Sequence, residues 1–237
     1  MPPAVRQLAL DIRWHDVASL QQFVSGGNGL PLATLQALLA DPPGSWLYLF
    51  GDTGTGKTHL LQAACRHLGE RGLPVFYLPA AQAEIPREVL QGLDDMALVA
   101  VDDVDALAGD REAEEALFHL YNRLREAGGR LLVSSRVRPG ELAMRLPDLQ
   151  SRLGWGQVQG LVPLRDEELL VALQLRARQR GLELSDETAR FLLTRLPRSV
   201  GALFGALDRL DRAALAAQRR LTIPFVRTTL LAPDDTD

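Results

Sequence analysis

Gly51-Asp52-Thr53-Gly54-Thr55-Gly56-Lys57-Thr58 sets glycines, a lysine and a hydroxyl at the spacing Gly-x4-Gly-Lys-Thr. Glycines so spaced let backbone N–H groups curl around a phosphate. The lysine reaches the β- and γ-phosphates as a compact point charge, and the threonine hydroxyl ligates Mg²⁺. Lys57 is the single lysine among 237 residues, and the other 25 cationic side chains are all arginine. A chain that keeps lysine only here marks a position where a planar guanidinium is no substitute. Gly51, Thr53, Gly54, Thr55, Gly56, Lys57, Thr58 and His59 are therefore expected to hold ATP or ADP, with residues near Phe23–Asn28, Asn28 among them, lining the base. A second signal lies in Ala97-Leu98-Val99-Ala100-Val101-Asp102-Asp103, an apolar strand that ends in two carboxylates. Asp102 suits a Mg²⁺ holder beside Thr58, and Asp103 suits a catalytic group that orients the attacking water. Asp105 and Asp110 read as residues opening a turn and a helix.

These groups need a scaffold that aims them. Trp46–Phe50 is a short apolar run that reads as a buried strand, and residues 58–70 carry helix formers with Leu60, Leu61, Ala64 and Leu68 on one face. Strand, glycine loop and helix together aim a helix N-terminus at phosphate. The alternation continues with strand 75–78, helix 86–93, strand 97–101, helix 112–127 and strand 130–134. A strand at 158–162 closes the series. Such a rhythm predicts an α/β fold with a parallel sheet covered by helices on both faces. Before it, residues 1–15 read as an extended arm and residues 16–45 as one helix. After Pro163 the pattern becomes helical: 166–180, 186–196, 199–217 and 222–231, with Ser185 and Thr222 supplying N-cap signals. The expected division is an arm at 1–15, an α/β core at 16–163 and a helical lid at 164–237.

Composition narrows the function classes. A net charge of −4 argues against a dedicated nonspecific nucleic-acid binder. One cysteine, Cys65, excludes an internal disulfide framework, and four scattered histidines offer no zinc spacing. No apolar run reaches membrane-spanning length and no signal-peptide pattern opens the chain, so a cytoplasmic protein with no membrane association is expected.

A P-loop core followed by a helical lid resembles the AAA+ ATPases. Gly-Lys-Thr-His-Leu-Leu at 56–61, Val-Asp-Asp-Val at 101–104 and Ser-Arg-Leu-Gly-Trp-Gly at 151–156 resemble the DnaA initiator branch. Leu-Tyr-Asn-Arg at 120–123, Leu-Pro-Asp-Leu at 146–149, Ala-Leu-Gln-Leu-Arg-Ala-Arg at 172–178 and Ala-Gln-Arg-Arg-Leu-Thr-Ile-Pro-Phe-Val at 217–226 are closer to the Hda family of DnaA-related regulatory inactivators. The resemblance covers essentially the whole chain. It implies bound adenine nucleotide with Mg²⁺, DnaA and the β sliding clamp of DNA polymerase III as partners, and self-association. It also implies contact with DNA only through those partners, because the helix-turn-helix domain that follows the lid in DnaA has no counterpart here. Arg152 resembles an arginine finger presented in trans to another subunit's γ-phosphate. Gln7-Leu8-Ala9-Leu10-Asp11-Ile12 resembles the clamp-docking segment, with Leu10 and Ile12 filling an apolar pocket and Gln7 at its rim. Read without the resemblance, Leu8, Leu10 and Ile12 fit a short strand face equally well. At two places the chain departs from the family. Gly201 stands where many lids carry a phosphate-touching arginine, with Arg198 one turn earlier. Ser134-Ser135-Arg136 ends the sensor strand, where the DnaA pattern has an acidic residue. The function so implied is regulation of replication initiation by stimulating hydrolysis of DnaA-bound ATP. The alternatives are a DnaA-like adaptor or helicase-loader ATPase, or a stand-alone P-loop enzyme.

Overall fold

A computed structural model describes residues 18–40, 44–82, 90 and 92–231. Five strands, β1 (Trp46–Phe50), β2 (Val75–Pro79), β3 (Leu98–Asp102), β4 (Arg130–Ser135) and β5 (Gln157–Gly160), form one sheet in the order β2-β3-β4-β1-β5. Every pairing is parallel. A parallel sheet is buried on both faces, which is why β1 reads Trp-Leu-Tyr-Leu-Phe rather than alternating apolar and polar. Leu47, Leu49, Tyr77, Leu98, Ala100 and Leu132 pack with α1 (Gly29–Ala40) and α2 (Lys57–Gly69) on one face. Tyr48, Val99, Val101, Leu131 and Val133 pack with α3 (Arg111–Ala127) and α4 (Pro147–Leu153) on the other. Cys65 lies in the first of these cores, where burial pushes its thiol up to about 12 and leaves it a packing group.

A third core belongs to four C-terminal helices, α5 (Asp166–Gln179), α6 (Asp186–Arg195), α7 (Val200–Ala217) and α8 (Ile223–Leu231). Ser185 caps α6 by accepting from the Thr188 N–H, and Ser199 caps α7 by accepting from the Ala202 N–H. The architecture is an α/β core carrying a C-terminal all-helical lid. No helix among the described residues is long and apolar enough to cross a membrane.

The one helix expected within 16–45 is α1, preceded by short 3-10 turns at Leu20–Gln22 and Gly26–Asn28. Gly26 takes a φ of +49°, a conformation that no α-helix continues through. The strand expected at 158–162 ends at Gly160, because the Val162 N–H turns out of the ladder to the Asn28 side chain. Helix α4 has no counterpart in the pattern reading. Its seven residues are too few for a periodic signal, and its start is held by a tertiary contact instead. The helix expected at 86–93 falls largely outside the described residues.

That tertiary contact is Glu114. Fully buried on α3, its carboxylate accepts backbone N–H groups from Gly109 at 2.8 Å, Arg145 at 3.0 Å and Leu146 at 2.7 Å. It thereby sets the entry to α4, the helix that carries Arg152. Truncation strands three donors at about 1–3 kcal/mol each, so Glu114→Ala is expected to lose about 3 kcal/mol or more of stability in urea unfolding. A loss below about 1 kcal/mol would show that water replaces the carboxylate at no cost.

Candidate nucleotide-binding site

The P-loop leaves β1 at its C-terminal end and enters α2 through Gly56, so its backbone crosses the crevice above the sheet's C-terminal edge. At Gly51 (φ +153°) an added Cβ would lie 2.4 Å from the Leu161 carbonyl oxygen. At Gly56 (φ +97°) it would lie 2.7 Å from the Phe23 ring. No other residue type fits at either position. Phe23 therefore sits directly over the loop, on the segment where the base was expected, with the His59 ring 5.9 Å away. His59 Nε2 lies 3.0 Å from the Ser19 carbonyl oxygen and so ties that segment to α2.

Lys57 is buried. Its Nζ donates to the Gly51 carbonyl at 2.6 Å and to the Asp52 carbonyl at 3.0 Å, which holds the ammonium inside the curl of the loop. Burial pulls its pKa down, and the nearby carboxylates of Asp103 and Asp102 oppose that shift. Thr55 Oγ1 donates to the Asp52 carbonyl at 2.9 Å and braces the same turn.

Asp102 closes β3 and is buried. Tyr77 on β2 donates its hydroxyl to Asp102 Oδ2 at 2.7 Å, and Ser134 on β4 donates to Oδ1. The neighbouring strands thus grip both carboxylate oxygens. Asp103 adopts φ +54°, ψ +52°, and its N–H donates to Ser134 Oγ at 2.9 Å. Its carboxyl is pushed above the usual range by burial and then by the charge of Asp102, with Lys57 acting against both. Asp105 sits one turn on and accepts from Ser135 Oγ at 3.1 Å and Arg136 Nε at 2.7 Å. Burial works against its charge, but these bonds outweigh it and hold the carboxyl below its ordinary value. Arg136, just past the end of β4, is therefore paired within the chain. Asp110 caps α3, accepting from Glu112 and Ala113.

The donor set suits Mg²⁺ shared with a nucleotide. Among the described residues no group of three or more His, Cys, Asp or Glu could hold a metal by itself. Mg²⁺ keeps its waters and is bound through one or two hard oxygens plus substrate phosphates, which the Thr58 hydroxyl and the Asp102 carboxylate match. When bound, the ion supplies charge neutralisation across the β- and γ-phosphates.

The lid approaches the same loop. Ser199, the cap of α7, has its Cβ 3.7 Å from where a side chain on Gly54 would begin. Arg198 precedes it, largely exposed and paired with Asp166 on α5 at 3.1 Å. Gly201 follows in the first turn of α7. The structure gives Asn28 a different job from base contact. Its amide is buried, donating to the Val162 carbonyl at 2.9 Å and accepting from the Val162 N–H at 2.7 Å, so it clamps the start of α1 to the strand-to-lid connection. A separate cleft of about 660 Å³, lined by residues including Leu184, Leu221 and Pro224, lies in the lid and carries none of these groups.

Arg152 lies elsewhere. Gly156 packs on Trp46 at the start of β1, so the end of α4 sits at the edge of the sheet opposite the P-loop. The Arg152 guanidinium is half-buried, with Cζ 4.3 Å from the Phe118 ring centroid, 5.7 Å from Tyr121 and 5.8 Å from Trp155. No carboxylate among the described residues pairs with it. Gln7, Leu8, Leu10 and Ile12 lie outside the described residues.

The family model for the bacterial DnaA ATPase domain matches residues 17–160, and that for the Hda lid domain matches residues 166–230. The chain belongs to the DnaA-type AAA+ family. Within that family its lid is of the Hda type. It is similar to domain III of the Thermotoga maritima replication initiation protein DnaA, with 23% identity, 90% of this chain and 95% of that one covered, and a TM-score of 0.79. AMPPCP-bound DnaA from Aquifex aeolicus is 26% identical, with 83% of this chain and 65% of that longer one covered, at a TM-score of 0.68. The Thermotoga maritima RuvB branch-migration motor shares the AAA+ fold, with 19% identity, 91% and 72% coverage and a TM-score of 0.67. Gly51 to Thr58, Asp102 and Asp103 are thus the P-loop and strand-end acids of a DnaA-type AAA+ core. Sequence reasoning missed Tyr77 and Ser134 as the partners of Asp102. The available signal was a phenol in the apolar run Phe76-Tyr77-Leu78, since a buried phenol needs a hydrogen-bond partner.

Proposed function

We propose that this protein binds ATP or ADP with Mg²⁺ at the P-loop and regulates replication initiation by stimulating hydrolysis of ATP held by DnaA. It does so docked on the β sliding clamp of DNA polymerase III through its N-terminal arm. The observation that carries this reading is Arg152. Aromatic faces hold its guanidinium without consuming the N–H edge, and no carboxylate among the described residues neutralises it. It also stands at the far side of the sheet from Lys57, so a phosphate that it meets belongs to another subunit. The Hda-type lid and the DnaA-type core support the same partner. Thr58 and Asp102 hold the ion, Lys57 and the amides from Gly54 to Thr58 hold the phosphates, and Arg198 reaches them from the lid. Asp103 is the candidate water-orienting group for turnover by this chain itself. Self-association and a cytoplasmic location belong to this reading.

The test is a clamp pull-down combined with an assay of DnaA-bound ATP. Deleting residues 1–12, or changing Leu10 and Ile12 to Ala, is expected to eliminate clamp retention and clamp-dependent stimulation while leaving nucleotide affinity unchanged. An anchor peptide's affinity resides in such alternate apolar side chains. Undiminished clamp retention would favour a helicase-loader or adaptor role.

A further inference from the structure

We infer that Tyr77 holds the metal-holding carboxylate Asp102 in place, so that it is a positioning residue for Mg²⁺. The inference rests on the nucleotide–Mg²⁺ reading of the site. Tyr77 is 4% exposed on β2, in register with Ala100 and one diagonal step from Asp102 on the face that α2 covers. The phenol spans that diagonal to reach Oδ2 at 2.7 Å. A phenol has one proton, and here the carboxylate takes it.

Ser134 anchors the other carboxylate oxygen from β4. An Asp102 gripped from both neighbouring strands cannot rotate away when an ion with strict octahedral demands arrives. Outer partners of this kind tune a metal without touching it, and their loss costs about 10–100-fold in metal affinity.

Tyr77→Phe keeps the ring and removes the bond. Titrating the full-length chain with fluorescent ADP, with Mg²⁺ and in excess EDTA, separates the ion's contribution from that of the loop. The expected result is an EDTA affinity within about twofold of the parent and a Mg²⁺-dependent gain reduced about 10-fold or more. Ser134→Ala, which releases the other carboxylate oxygen, is expected to reduce the gain as well, and it provides the measurement if Tyr77→Phe fails to fold. An unchanged Mg²⁺-dependent gain in either folded variant, or equal losses with and without Mg²⁺, would overturn this role. A parent protein whose ADP affinity ignores Mg²⁺ would instead overturn the metal reading on which it rests.

Discussion

Arg152→Ala is expected to abolish stimulated hydrolysis of DnaA-bound ATP while the variant remains folded, nucleotide-bound and clamp-bound. The guanidinium stacks on Phe118, Tyr121 and Trp155, and Trp155 is 61% exposed. Stacking uses the face of the cation and leaves its planar N–H edge for phosphate oxygens, which it can match in a bidentate geometry. No ion pair among the described residues is lost with the side chain, so stability should move by less than about 1 kcal/mol. Fingers of this kind are worth ~10³–10⁵ in rate, equivalent to about 4–7 kcal/mol of barrier. Arg152→Lys should recover little, because an ammonium neither stacks as well nor bonds bidentately. The measurement is single-turnover release of phosphate from ATP-loaded DnaA on clamp-loaded DNA. Stimulation by Arg152→Ala within threefold of the parent would remove the finger and with it the proposed mechanism.

The second large effect is at Lys57. Its ammonium is already desolvated and held by two loop carbonyls within bonding distance, so the loop is organised around a cation before any phosphate arrives. Lys57→Ala removes the one mobile point charge of the loop and leaves those carbonyls facing the incoming phosphate. Removing one partner of a buried charge pair costs about 3–5 kcal/mol, so ADP affinity should fall by roughly 10²–10³-fold or more. The expected fall is the same with and without Mg²⁺ in relative terms, which distinguishes it from the Tyr77 effect. Calorimetric titration with ADP measures it, and parental affinity in the variant would mean that the nucleotide sits elsewhere.

Much of this molecule was legible in one dimension. The glycine loop, the sole lysine, the strand ending in Asp102 and the apolar runs at 46–50, 75–78, 97–101 and 130–134 are local signals, each contained within a few residues. Local chemistry dictates them: positive φ at glycine, apolar runs for a sheet buried on both faces, and a helix N-terminus after a phosphate loop. The lid helices were legible for the same reason, through their caps and their apolar spacing. What tertiary structure decided depends on residues far apart in the chain. Asn28 clamps Val162 across 134 positions, which ends β5 early and takes that amide away from the base. Glu114 sets the start of α4 from 31 and 32 residues away. Tyr77 and Ser134 reach Asp102 only because the strand order places β2 and β4 on either side of β3. Arg152 looks like any of 25 arginines until the fold sets it on three aromatic rings. A buried polar group must find a partner, yet nothing in its own segment says which strand will bring one.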